Sequence, residues 1–237
     1  MNAMNFITKA HSHGKAIRAL GSNGAAVLGV LGLDFTPARD GAQVTASALA
    51  ALSGPSEVSM GDIRGKTLQE VWPTLSEEGK KSFARRMNAI LEQLRSLQGR
   101  YIGSVEEGPA VDMRRSTERG GPFSSETDFN TFLRQNAISK IPKIYHRMLA
   151  SLMSDTHRIL FTHGDLSPRN ILVREGRIVG LLDWECAGWY PEYWEFVRFF
   201  RNIYTRIDWH EYADIIFTDS YPSEVMTDHF LGRLTRH

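Results

Sequence analysis

The sequence predicts an α+β fold, mainly helical, with one small β-hairpin that carries its most chemically loaded side chains. Three observations predict it. Apolar residues recur at helical spacing through residues 76–98, and short β-branched runs flank a Glu175-Gly176 turn signal. Helical patterning then returns near Glu192–Tyr204 and again in the last thirty residues. The chain has 237 residues, of which 42% are hydrophobic, enough for one large domain or a domain with a smaller lobe.

Composition narrows the function classes. Lys plus Arg number 28 and Asp plus Glu 27, so no strong field attracts a polyanion and nucleic acid is not an expected partner. The single cysteine, Cys186, rules out a disulfide scaffold and favours a reducing, cytoplasmic setting. Lys9, Lys15 and Arg18 precede the first acidic residue, Asp34, which keeps an organellar destination as the alternative. The longest apolar run, Ala25–Leu33, is too short to cross a bilayer, so no membrane partner is expected.

Taken in order, residues 1–57 are rich in Ala, Gly and Ser with no sustained period, and are read as a divergent or poorly ordered N-terminal segment. Residues 58–73 form a transition, and residues 74–237 the main body. Thr74-Leu75-Ser76-Glu77 reads as a capping box that starts a helix from Ser76 to Gln98, ended by Gly99. Its buried stripe is Phe83, Met87, Ile90, Leu91, Leu94 and Leu97. Residues 99–125, with their glycines and prolines, read as loop. Helices are expected over Asp128–Asn136 and Lys143–Ser154, and strands over Ile159–Thr162, Asn170–Val173 and Ile178–Leu182.

The chemistry concentrates in His163-Gly164-Asp165-Leu166-Ser167-Pro168-Arg169-Asn170-Ile171-Leu172-Val173, followed by Gly180-Leu181-Leu182-Asp183-Trp184-Glu185. With Glu175 and Gly176 as a two-residue turn, regular pairing sets Val173 against Ile178, Leu172 against Val179, Ile171 against Gly180 and Asn170 against Leu181. Asn170 and Asp183 then share one face as diagonal neighbours, an amide and a carboxylate suited to a magnesium ion. Asp165, on the preceding loop, is placed to orient a substrate hydroxyl and take its proton.

The His-x-Asp-x-x-x-x-Asn spacing followed by Leu-Leu-Asp-Trp-Glu resembles the aminoglycoside phosphotransferase and choline kinase group of the protein kinase-like superfamily, over about Asp62 to Tyr204. Protein kinases carry HRD and DFG where this chain has His163-Gly164-Asp165 and Asp183-Trp184-Glu185. The resemblance implies ATP and Mg2+ as cofactors and a small-molecule hydroxyl as acceptor, with Asp165 the catalytic base and Asn170 and Asp183 the metal ligands. It also implies that Glu195 fills a structural acidic position. It makes residues 58–73 the hinge and linker, with backbone groups of Gly61, Asp62 and Ile63 facing the adenine.

The same likeness exposes a departure. Relatives need a β lobe with a phosphate loop and a strand lysine, yet only Lys9 and Lys15 precede Lys66 and neither lies in a β-branched run. The N-terminal lobe is therefore expected to be missing or incomplete, and a non-catalytic, kinase-like binding or regulatory module is the alternative function.

Other signals have plainer readings. Gly61–Thr67 has three residues between its glycines where a P-loop has four. Trp184, Trp189, Tyr190, Tyr193 and Trp194 read as core in preference to an aromatic cage for a quaternary ammonium group. Asp208, Glu211, Asp214 and Asp219 read as a solvated face.

Overall fold

The computed structural model describes residues 65–104, 107–113, 118–138, 141–202 and 207–234. The expectations for residues 1–57 and for Gly61, Asp62 and Ile63 lie outside these residues. The described chain is a mixture of helices and small antiparallel sheets, as the α+β expectation requires. Among the described residues no helix is long and apolar enough to cross a membrane.

The long helix expected near residue 76 runs over Glu77–Arg95, and Phe83, Met87, Ile90, Leu91 and Leu94 along it are buried while Leu97 beyond it is half-buried. Its cap differs from the sequence reading. The Thr74 hydroxyl donates to the Val71 carbonyl, and Ser76 caps the helix by accepting from the Gly79 N–H at 3.2 Å. Thr74 is consumed because Trp72–Thr74, with Pro73 inside, forms a 3-10 turn of its own. A full capping box stands earlier, where Thr67 and Glu70 bond reciprocally at the start of the helix Leu68–Val71. Gly99 is likewise no helix cap: its N–H donates to the Ile159 carbonyl at 2.9 Å.

The contacts divide the chain into two compact units. Among the described residues the first comprises 65–87 and 167–185. It holds one three-stranded antiparallel sheet in the order β1 (Lys66–Thr67), β6 (Ile171–Arg174), β7 (Arg177–Leu181), with Lys66 opposite Val173 and Thr67 opposite Leu172. Glu175 and Gly176 turn the hairpin with φ of 51° and 71°, as a two-residue turn matched to right-handed strand twist requires. The Arg86 guanidinium donates to the Gly176 carbonyl at the turn.

The second unit comprises residues 88–166 and 186–234. Its central sheet has the order β2 (Gly103–Ser104), β8 (Gly188–Pro191), β5 (Ile159–Thr162), all antiparallel. A second hairpin pairs β3 (Ala110–Asp112) with β4 (Glu118–Gly120). Residues 99–125 are thus not all loop. Strands of two or three residues between glycines and prolines carry too little pattern to register in a sequence. Strand β8, four residues from Gly188 to Pro191, is masked in sequence by the glycine and proline at its ends.

Trp189, Tyr190, Tyr193 and Trp194 are buried core, while Trp184 is only half-buried. Tyr190 and Trp194 stack at 5.6 Å, and Phe129 meets Trp194 edge-on at 5.1 Å. Phe129 lies on the helix Glu126–Ile138, longer at both ends than expected. The next helix is Lys143–Leu152, with Leu149 packed on Leu231 of the terminal helix Pro222–Leu234. Asp208, Glu211, Asp214 and Asp219 are exposed.

Gly99 is fixed by crowding. A Cβ there would sit 2.9 Å from the Cβ, Cδ2 and Cε3 atoms of Trp189, in a core too dense to yield. Gly99→Ala is expected to lower stability by about 1–3 kcal/mol, read as a reduced urea midpoint with an unchanged slope.

His157 joins three segments of the second unit. Glu126 accepts from its backbone N–H at 2.9 Å and meets its Nδ1 at 2.8 Å, while Glu224 stands 3.9 Å from its Nε2. The hydrogen bond to Glu126 raises the His157 pKa above its ordinary 6.5; burial opposes this, and the charges of Glu126, Glu224 and Glu192 add to it. A raised folded pKa means the protonated form is held more tightly in the native state. Its stabilisation is complete below pH 6.5 and lost as pH rises through the folded value. His157→Gln should therefore lower the melting temperature most in acid, with the gap to the parent narrowing as pH rises above neutrality.

Candidate active site

The loop that carries Asp165 begins where strand pairing stops. Thr162 is the last β5 residue paired, to Gly188 of β8, so the next N–H groups have no ladder partner. Glu195 supplies one. It lies in the first turn of the helix Trp194–Phe199 and is 1% exposed. One carboxylate oxygen accepts from the His163 N–H at 2.6 Å and the other from the Gly164 N–H at 2.9 Å. Burial pushes the Glu195 carboxyl pKa upward, against the two backbone N–H bonds and the charges of Arg95 and Arg198. The structural role expected of Glu195 thus has a definite form, a brace on two successive amides.

The peptide between Gly164 and Asp165 is held at both ends. Arg198 Nε donates to the Gly164 carbonyl at 2.7 Å, and the Asp165 N–H donates to His163 Nδ1 at 3.1 Å. A histidine that accepts at Nδ1 carries its proton on Nε2. Gly164 has φ of 82°, and a Cβ there would fall 2.9 Å from the Cys186 carbonyl oxygen, so both conformation and space demand glycine. Leu166 is buried, and its carbonyl accepts from Trp209 Nε1 at 3.3 Å. Asp165 itself is half-buried.

Asn170 and Asp183 belong to the first unit, Asp165 to the second. Asn170 ends the 3-10 turn Pro168–Asn170, one residue before β6, and is buried. The hairpin register corrects the sequence derivation. Arg174 faces Arg177 and Val173 faces Ile178 as expected, but Leu172 faces Gly180 and Ile171 faces Leu181. Val179 is an extra residue in β7, a β-bulge, and it shifts every later pair by one.

Asn170 is consequently tied to Leu182, whose N–H donates to the Asn170 carbonyl at 2.8 Å, where regular pairing had set it against Leu181. Regular alternation beyond the bulge would send residue 183 to the face opposite Asn170. The chain leaves that alternation at once, because Asp183 takes φ of 62°. Left-handed backbone is uncommon outside glycine, tolerated best by Asp and Asn, and concentrated at functional positions. The two residues are neighbours through this backbone tie and not through a shared pleated face.

An amide oxygen and a carboxylate are hard oxygen donors of the kind magnesium takes, usually one or two from protein with the remainder from phosphate and water. Asn170 and Asp183 fit that demand in chemistry and in chain position. Among the described residues no three His, Cys, Asp or Glu side chains gather as a zinc-type site would need.

Sequence reading did not single out Arg198. Its one signal was the three-residue step from Glu195, which puts both on one side of a short helix. Cys186 is buried, as expected of a cysteine with no basic neighbour in sequence, but the fold brings the Arg198 Nη2 to 3.5 Å from its sulfur.

Comparison with curated proteins finds no match to the chain. A family model does match, described as APH: Phosphotransferase enzyme family, over residues 38–224. That span contains the Asp165 loop, its Glu195 brace and the bulged hairpin, and reaches further in both directions than the resemblance read from the motifs. The chain belongs to the phosphotransferase enzyme family.

Proposed function

We propose that the chain transfers the γ-phosphoryl group of ATP to a hydroxyl of a small molecule. The acceptor's proton passes to the Asp165 carboxylate as its oxygen forms a bond to the γ-phosphorus. The bond from that phosphorus to the β,γ-bridging oxygen breaks, and ADP leaves. Asn170 and Asp183 would hold Mg2+, which when bound neutralises charge on the phosphates. The chain's own contribution is to aim Asp165 and to keep the two metal ligands adjacent.

The observation that carries this reading is the backbone of Asp183. A left-handed aspartate two residues past the end of a strand is a local cost, and the Leu182–Asn170 bond ties the residue before it to the other proposed ligand. Family membership supports phosphotransfer in general. ATP, magnesium and a small acceptor follow from the motif resemblance, and a missing or incomplete N-terminal lobe that would impair activity is part of the same proposal.

With Mg2+, ATP and a panel of hydroxyl compounds, the parent is expected to turn over at least one acceptor. Asp165→Ala should lower kcat by roughly 10²–10⁴-fold. Equal turnover in the variant would remove Asp165 from the mechanism.

A non-catalytic binding module is the second reading, favoured by the lack of any lysine in a β-branched run ahead of Lys66. Calorimetry separates the two sites of failure. Asp183→Asn keeps a residue that tolerates left-handed backbone yet loses the charge, and should weaken Mg-ATP binding by about tenfold or more. Unaltered affinity would mean Asp183 is not a ligand.

A further inference from the structure

We infer that Arg198 is a positioning residue for Asp165, locking the peptide from which the aspartate side chain rises. This rests on the reading of Asp165 as the acceptor's base. The Gly164–Asp165 peptide has two polar groups, and each has a side-chain partner: Arg198 Nε on the carbonyl at 2.7 Å and His163 Nδ1 on the N–H at 3.1 Å. The preceding two N–H groups are held by Glu195. Glu195 therefore sets the height of the loop, while Arg198 and His163 restrain rotation of the last peptide before Asp165. At Gly164, where φ is 82° and no side chain limits torsion, that rotation is otherwise soft.

The guanidinium is itself fixed. Beyond the Nε bond, its Nη2 lies 3.5 Å from Cys186 Sγ and 3.8 Å from Met113 Sδ, and the Cys186 thiol meets Met113 Sδ at 2.9 Å. Two weak sulfur acceptors and one strong carbonyl hold the planar fork in a single orientation. Its Nη1 is buried with no hydrogen-bond partner among the described residues. Leaving a buried donor unsatisfied is costly, and a fold selecting for stability alone would place an apolar side chain there. The group is retained at that cost because its Nε carries the carbonyl bond.

The test uses the full chain with two readouts. In Arg198→Ala, the Asp165 amide should exchange its hydrogen at least tenfold faster by mass spectrometry, while β5 and β8 amides keep their rates. In Arg198→Lys, which preserves the charge beside Glu195 and guards against failure to fold, the same amide should still accelerate, because an ammonium lacks the fork. In turnover, Arg198→Ala should lose kcat by tenfold or more with the KM for ATP within twofold, and guanidinium ion added to solution should restore part of it. Unchanged exchange at Asp165 overturns the inference, as does equal acceleration throughout the unit, which would mean a structural role only. Faster exchange with an intact kcat also overturns it. If the parent proves inactive, phosphotransfer is the claim that fails, and the exchange pattern alone decides whether Arg198 holds this peptide.

Discussion

The Asp165 loop depends on a carboxylate that is almost wholly withdrawn from water. Where β5 stops pairing with β8, the chain must bend away to present Asp165, and the bend strands the N–H groups of His163 and Gly164 inside the protein. An unsatisfied buried amide costs about 1–3 kcal/mol. Glu195 meets both with its two oxygens, from the first turn of a helix whose N-terminal dipole favours negative charge. The loop is thereby held through its backbone N–H groups.

A second constraint acts in the other unit. The hairpin from Ile171 to Leu181 is short, but both of its ends carry chemistry. Asn170 enters it from a 3-10 turn and Asp183 leaves it in left-handed backbone. The hydrogen bond from Leu182 to Asn170 closes the base of the hairpin and makes the relative placement of these residues a property of the main chain.

Much of this was legible in the sequence, and the exceptions share a cause. The long helix showed because its stripe repeats over about four turns. The hairpin showed because Glu175-Gly176 is a strong turn signal between β-branched runs. The spacing of Asp165, Asn170 and Asp183 carries the resemblance to the family. Strands β2, β3 and β4 did not show, since two or three residues carry no period, and β8 did not because its ends are Gly188 and Pro191. The bulge at Val179 did not show either: nothing in Arg-Ile-Val-Gly-Leu marks one residue as supernumerary, and regular pairing assigned the wrong partners beyond it. The helix cap moved from Thr74 to Ser76 because a local Trp72–Thr74 turn claimed the threonine first. Each miss is a case of tertiary or local competition that a linear pattern does not record.

The bulge has a bearing on how chain length varies within the family. At the hairpin tip, a side chain at Gly176 would meet nothing among the described residues, so a longer side chain has room there although the carbonyl is held by Arg86. At Val179 the hairpin counts its residues. Losing one would restore even pairing up to Leu181 but would carry the aspartate one step around the backbone, away from the asparagine it accompanies. Changes in this segment therefore differ in meaning by where they fall: a substitution at the tip has room, whereas a residue lost at the base changes which side chains accompany Asn170.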